Sequence, residues 1–94
     1  MQLLELLGQV EQWSNEDTTI YVEPPWSPDA EAILVTPAPD TTDPIERDDR
    51  RYHYFLETFI ARDFLEGYAA SDEGSAASEK QRCERLISYA ENDA

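Results

Sequence analysis

One segment of the chain places a tryptophan among prolines and carboxylates. Trp26 lies in the sequence Glu23-Pro-Pro-Trp-Ser-Pro-Asp29-Ala-Glu31, whose three prolines stiffen the backbone and remove hydrogen-bond donors. An aromatic side chain flanked by carboxylates suits contacts with Arg and Lys, through cation–π and charge-assisted interactions. The alternative is that Trp26 folds back over a sheet edge, because large aromatic side chains usually bury most of their surface. The predicted partner-binding residues are Glu16, Asp17, Glu23, Trp26, Asp29 and Glu31.

The overall charge favours a basic partner. The 94 residues include 21 acidic and 7 basic side chains, for a formal net charge of −14. Residues 1–46 hold ten of the acids and no Lys or Arg, whereas residues 47–94 hold eleven acids and all seven bases. A negative field of this size accelerates association with a basic protein, although it also serves simply to keep a small domain soluble. Direct binding to nucleic acid or to anionic lipid is not expected, since both need clustered Lys and Arg.

The remaining reactive side chains do not form a recognisable catalytic or metal-binding constellation. His53 has no Cys or second His at ligand spacing, and Cys83 lies on an apolar helical stripe, so both are predicted to be structural. Asp63, Glu66 and Arg62 are interpreted as an ordinary solvated helix face. Five carboxylates could gather around a divalent cation, but their spacing lacks the glycine turn and the terminal Glu of a calcium loop. They are Asp40, Asp43, Glu46, Asp48 and Asp49. We therefore predict no catalytic residue, no metal and no cofactor.

The first half of the chain predicts one helix and two strands. Apolar residues recur at helical spacing over about residues 2–13, including Trp13, which is expected in the core. From Thr18 to Glu23 the residues are β-branched or aromatic and alternate between two faces, which predicts a strand. A second, mostly apolar strand is expected at about 31–36, antiparallel to the first.

The second half predicts a connection, a third strand and two helices. Residues 37–51 hold three prolines and few apolar side chains, which indicates an exposed, flexible connection. A strand is expected at about 52–58, with a helix from Arg50 as the alternative. A helix should then run from Ile60 to about 67–68, followed by a polar turn at 71–75. Ser78 and Gln81 form a capping box before a final helix to about residue 91, whose buried stripe is Cys83, Leu86, Ile87 and Ala90.

These elements predict an α+β fold in a single domain over residues 1–94. The order α-β-β-β-α-α indicates a small three-stranded antiparallel sheet packed with about three helices. Cys83 is the single thiol, so no internal disulfide forms, and a cytoplasmic location is expected. The start of the chain lacks the basic segment of a secretory signal, and no apolar run is long enough to span a membrane.

Three stretches resemble a family of small acidic bacterial proteins of unknown function. They are Thr19-Ile-Tyr-Val-Glu-Pro-Pro-Trp26, Tyr54-Phe-Leu-Glu57 with Ile60-Ala-Arg62, and Cys83-Glu-Arg-Leu-Ile-Ser-Tyr-Ala-Glu-Asn-Asp93. The similarity spans both ends of the chain and omits residues 37–51. The resemblance implies a likeness to immunity proteins, the cytoplasmic antidotes encoded beside polymorphic or contact-dependent toxins. It implies no active site and assigns no functional residue.

Charge, motifs and resemblance together favour a non-enzymatic binding protein. The leading hypothesis is an immunity protein that covers the basic surface or active-site cleft of a cognate toxin, such as a nuclease. The alternative is a nucleic-acid-mimicking inhibitor of the anti-restriction or anti-CRISPR type. An enzyme is the least favoured class, because no concave site that would shift carboxylate pKa values is evident. A subunit that dimerises through its last helix is a further hypothesis, and the sequence leaves the oligomeric state open.

Overall fold

An antiparallel sheet with the strand order β2-β1-β4-β3 forms the centre of the fold. The computed structural model describes residues 1–13 and 17–92. The described elements are α1 (Leu3–Leu7), a 3-10 helix (Val10–Gln12), β1 (Thr19–Val22), β2 (Ala32–Val35), β3 (Ile45–Arg47), β4 (Arg50–Glu57), α2 (Thr58–Ala70), α3 (Asp72–Ser75) and α4 (Glu79–Asn92). The α+β class and the antiparallel β1–β2 pair are confirmed, but the described sheet has four strands instead of the three predicted.

The additional strand comes from the segment predicted to be a flexible connection. Residues 45–47 pair with residues 50–52 in a hairpin whose two turn residues, Asp48 and Asp49, have φ values of 55° and 64°. Two positive φ values are typical of the tight turns that join antiparallel strands, and Asp tolerates this conformation better than most residues. β3 escaped prediction because it is a three-residue edge strand with mostly exposed, charged side chains. β4 begins at Arg50, so the alternative of a helix there is wrong.

The central strand β1 is buried on both of its faces. Ile20 and Val22 join the main core cluster, as the alternation predicts. Tyr21, on the opposite face, is also fully buried, and its ring packs edge-on against Tyr54 with centroids 6.1 Å apart. β1 lies between β2 and β4, which accounts for its burial from end to end.

The N-terminal helix is shorter than predicted. α1 ends at Leu7, and after Gly8 the chain tightens into 3-10 geometry, with hydrogen bonds from Gln9 N to Leu6 O at 3.0 Å and from Gln12 N to Gln9 O at 2.8 Å. Glycine is a poor helix former, which explains the break in an otherwise periodic stripe. The stripe still faces the core, because Leu3, Leu6, Leu7 and Trp13 are buried.

The C-terminal helices follow the predicted order with different ends. α2 starts directly after β4 at Thr58 and continues through Gly67 to Ala70. The predicted polar turn at 71–75 contains α3, which Ser71 caps by accepting a hydrogen bond from Gly74 N at 3.0 Å. The capping box is confirmed: Gln81 N donates to Ser78 Oγ at 3.1 Å, and Ser78 N donates to Gln81 Oε1 at 2.8 Å. The predicted stripe of α4 is buried.

Candidate functional site

The predicted partner-binding residues lie at opposite ends of β1. Asp17 precedes the strand, whereas Glu23, Trp26, Asp29 and Glu31 lie in the loop that follows it. Four strand residues span about 13 Å. Glu16 lies outside the described residues. The structure therefore groups the loop residues and separates them from Asp17.

Trp26 packs against the core and is half-buried. Its ring meets that of Phe55 edge-on, with centroids 5.0 Å apart and an interplanar angle of 79°. Its indole Nε1 donates a hydrogen bond to Val22 O at 3.2 Å, so the polar end of the ring is also satisfied within the chain. This geometry favours the alternative prediction, in which Trp26 covers the sheet instead of projecting towards a partner.

Two of the three loop carboxylates form ion pairs within the chain. Glu23 Oε1 lies 2.8 Å from Arg50 Nη1, and Glu31 Oε2 lies 2.8 Å from the amino group of Met1. The hydrogen bond and the charge of that amino group lower the pKa of the Glu31 carboxyl. Asp29 is exposed and outside both ion pairs. Arg50 belongs to the half of the sequence that holds the bases, so folding brings a cation to the predicted negative pole.

Most other carboxylates face solvent. Within the described part of the chain, fifteen acidic side chains are exposed and take part in neither ion pair. They are spread over helices, loops and the β3–β4 hairpin: Glu5, Asp17, Asp29, Asp40, Asp43, Glu46, Asp48, Asp49, Asp63, Glu66, Asp72, Glu73, Glu79, Glu84 and Glu91. The exposed negative charge is therefore distributed over all four α-helices, the β3–β4 hairpin and several loops of the described fold.

Phe59 is an exposed aromatic residue outside the predicted set of partner-binding residues. It is 52% exposed, on the first turn of α2. Thr58 N donates to Thr18 O at 3.1 Å, which holds this turn beside Asp17. Asp63 is exposed one helical turn further along α2. We call Asp17, Phe59 and Asp63 the Phe59 surface. A sequence prediction that started α2 at Thr58 would have identified Phe59 as exposed, because Phe59 then lies outside the apolar face of the helix.

The prediction that Arg62 lies on a solvated helix face is wrong. Its Nη2 donates to Val10 O at 2.6 Å and to Trp13 O at 3.0 Å. These bonds connect α2 to the 3-10 helix and satisfy carbonyl groups where that helix ends. Asp63 and Glu66, on the same helix, are exposed as predicted. The sequence pattern could not identify the acceptors, because they are backbone atoms about fifty residues away.

Cys83 is buried in the core, as predicted. Its side chain is 0% exposed, and burial, assisted by the charges of Glu84 and Asp29, raises the pKa of the thiol to about 12. A thiol protonated at neutral pH is a poor nucleophile and a poor metal ligand. Among the described residues, no group of three or more His, Cys, Asp or Glu side chains is placed to hold a metal ion.

The buried thiol should make the protein less stable in alkali. In the unfolded chain the Cys83 thiol ionises near its ordinary pKa of 9.0, whereas in the folded protein it stays protonated to about pH 12. The stabilisation that comes from the protonated thiol is therefore complete below pH 9.0, and it is lost as the pH rises from 9.0 to about 12. The free energy of unfolding should fall by up to about 1.4 kcal/mol per pH unit.

Urea titrations at pH 8 and at pH 10.5 measure this slope, and Cys83→Ala is the control. Burial also raises the pKa of the Tyr21 and Tyr54 phenols, so some alkaline loss should persist in the variant. The thiol's share is the difference between the two slopes. Equal slopes for the parent and Cys83→Ala would contradict the prediction.

None of the helices in the described part of the chain has the length and apolar character needed to cross a membrane. Comparison with protein-family models, with curated proteins and with solved structures yields no match. The resemblance to small acidic bacterial proteins and to immunity proteins therefore stays a prediction.

Proposed function

We propose that this chain is a non-enzymatic binding protein that neutralises a basic protein partner. The most concrete form of the proposal is an immunity protein that covers the basic surface or active-site cleft of a cognate toxin. The observation that carries it is the set of fifteen exposed carboxylates in neither ion pair. A cleft that attracts phosphate also attracts clustered carboxylates, so a nuclease is a natural target.

The Phe59 surface supplies an apolar centre for such a contact. Interfaces that persist in salt need a desolvated anchor as well as charge, and aromatic side chains fill that role most often. Phe59 is exposed, Asp63 lies one helical turn from it, and the hydrogen bond from Thr58 N to Thr18 O brings Asp17 to the same turn. Trp26 is a weaker choice of anchor, because its ring and its indole N–H are both engaged within the chain.

The second candidate is a nucleic-acid-mimicking inhibitor of a DNA-binding enzyme. The observation that favours it is the wide distribution of the exposed carboxylates, which occur on several helices, on loops and on the hairpin. A mimic relies on charge over its whole surface, so its binding should be lost steeply as salt rises. An immunity protein with an apolar anchor should keep much of its affinity.

Affinity capture with variants of the Phe59 surface tests the proposal. The tagged protein is expressed in its native host and captured at about 50 mM and about 500 mM salt, where the Debye length is about 14 Å and about 4 Å respectively. We expect one co-encoded basic polypeptide to be retained in both washes. Phe59→Ala should make it dissociate about 30-fold faster, as for an anchor worth 2 kcal/mol.

The matched control is Glu91→Gln, compared with Asp63→Asn. Both changes remove one exposed carboxylate, but only Asp63 belongs to the Phe59 surface. Asp63→Asn should slow association more than Glu91→Gln does. Equal effects, or no effect of Phe59→Ala on a retained partner, would contradict the assignment of this surface. A set of DNA-binding proteins lost in high salt would favour mimicry, and an empty capture would contradict a stable partner.

A further inference from the structure

A cavity of about 560 Å³ lies between the N-terminal helical segment, α2 and the first turns of α4. Ligand pockets in proteins usually measure about 300–1,000 Å³. Its wall contains six apolar side chains, those of Leu4, Leu7, Val10, Leu65, Ala69 and Cys83, together with Gly8 and six polar or charged side chains. The cavity is therefore large enough, and apolar enough, for the hydrocarbon part of a small molecule.

Arg82 lines this cavity and has a donor that is unpartnered among the described residues. Its Nη2 donates to Gly74 O at 3.3 Å, but its Nε is buried and has no hydrogen-bond partner within the described part of the chain. Native proteins satisfy nearly all of their buried polar groups, so an unpartnered guanidinium N–H at a cavity indicates a missing acceptor. A carboxylate is the acceptor that matches guanidinium geometry best.

A second cation lines the same cavity. Arg62 contributes to the wall while its Nη2 is held by Val10 O and Trp13 O. Two of the seven basic side chains of a chain with net charge −14 thus line one cavity. Glu66 and Glu79 also line it, and both are exposed. Among the charged side chains at this cavity, the two cations are therefore half-buried and the two carboxylates are exposed.

We propose that this cavity binds a small molecule that joins a carboxylate to an apolar chain. The carboxylate pairs with the Arg82 guanidinium, and the apolar chain lies against Leu4, Val10 and Leu65. This site is independent of the proposed partner function, because the Phe59 surface shares none of its residues. The two proposals also differ in their response to salt.

Salt should strengthen binding at the cavity. The surface carboxylates repel an approaching anion, and added salt screens this repulsion between solvent-exposed charges. The buried contact with Arg82 is screened much less. Binding to a basic partner should show the opposite dependence, because there the long-range force is attractive. Failure of one proposal therefore leaves the other intact.

NMR titration of the whole chain with octanoate tests the inference, with 1-octanol as the neutral probe of equal length. We expect octanoate to shift the amide signals of cavity residues such as Leu4, Val10 and Ala69, and to bind about tenfold more tightly than 1-octanol. Arg82→Gln should remove this preference. Arg85→Gln is the matched control, because Arg85 is exposed on the same helix and does not line the cavity.

A second variant keeps the test decisive if Arg82→Gln disturbs the fold. Ala69→Phe adds volume to the cavity wall without removing a charge, and it should abolish the binding of both probes. Equal affinity for octanoate and 1-octanol would overturn the assignment of Arg82. Unchanged octanoate binding in Ala69→Phe, or shifts confined to residues outside the cavity, would overturn the site itself.

Discussion

Replacing Phe55 with alanine is expected to lower the free energy of unfolding by about 3–5 kcal/mol, a large part of the roughly 5–15 kcal/mol by which a small domain is stable. Phe55 is 1% exposed, and its ring is the surface on which Trp26 packs. Truncation leaves a void in the core cluster and removes the edge-to-face contact at the same time.

Urea unfolding followed by far-UV circular dichroism measures the loss, and Phe59→Ala is the matched control. The chemical change is the same, but Phe59 is 52% exposed. The free energy of unfolding of Phe59→Ala should therefore fall by no more than about 0.5 kcal/mol. A double-mutant cycle with Trp26→Ala should give a coupling of about 0.5–1.5 kcal/mol. Similar losses for Phe55→Ala and Phe59→Ala would contradict the described burial of Phe55.

Replacing Arg62 with methionine is expected to lower the free energy of unfolding by about 2–3 kcal/mol, although the sequence pattern predicts a solvated helix face at this position. Methionine keeps most of the alkyl chain but removes the donor to Val10 O and Trp13 O. The two carbonyl groups then lose a charged donor at a partly buried position, where water replaces it incompletely. The connection between α2 and the 3-10 helix is lost with it.

Hydrogen exchange and urea unfolding together check this prediction. Arg62→Met should accelerate amide hydrogen exchange in the segment from Val10 to Trp13, and it should also lower the urea concentration at the midpoint of unfolding. Arg85→Met is the control, because Arg85 is exposed and has no hydrogen bond to another part of the described chain. A loss no larger than that of Arg85→Met would show that the two hydrogen bonds add little to stability.

The contrast between the buried Phe55 and the exposed Phe59 decides how binding data should be interpreted. A variant of Trp26 that weakens partner binding would do so by disturbing the packing on Phe55. Its loss of affinity should therefore be proportional to its loss of unfolding free energy. A variant of Phe59 should weaken binding while leaving stability nearly unchanged. Measuring both quantities for both residues separates an anchor from a structural support.

Local signals in the sequence predicted several features correctly. The capping box at Ser78 and Gln81 and the buried stripe of α4 depend on residues three or four positions apart, so spacing alone reveals them. Strand β1 and its antiparallel partner β2 follow from β-branched and apolar runs on either side of a proline-rich loop. The short strand β3 has no such signal, because its pairing is supplied by β4.

The register of β4 shows where alternation fails. A shift between the partners of Ile20 and Tyr21 pairs Ile20 with Leu56 and Tyr21 with Tyr54, which leaves Phe55 without a partner in the ladder. Phe55 and Leu56 are consecutive in sequence, yet both are buried. Strict alternation along a strand would place either Phe55 or Leu56 on the outer face of the sheet. The alternating pattern contains no information about a β-bulge, so it cannot predict that both are buried.

The sequence by itself determined the negative charge, the α+β class and the residues that form the core stripes, because these depend on composition and short-range periodicity. Only the tertiary structure decided that Trp26 packs on Phe55, that Arg50 reaches Glu23 and that Arg62 and Arg82 line one cavity. Each of these contacts joins residues more than fifteen positions apart. Strand order and helix packing bring them together, and no local pattern encodes that proximity.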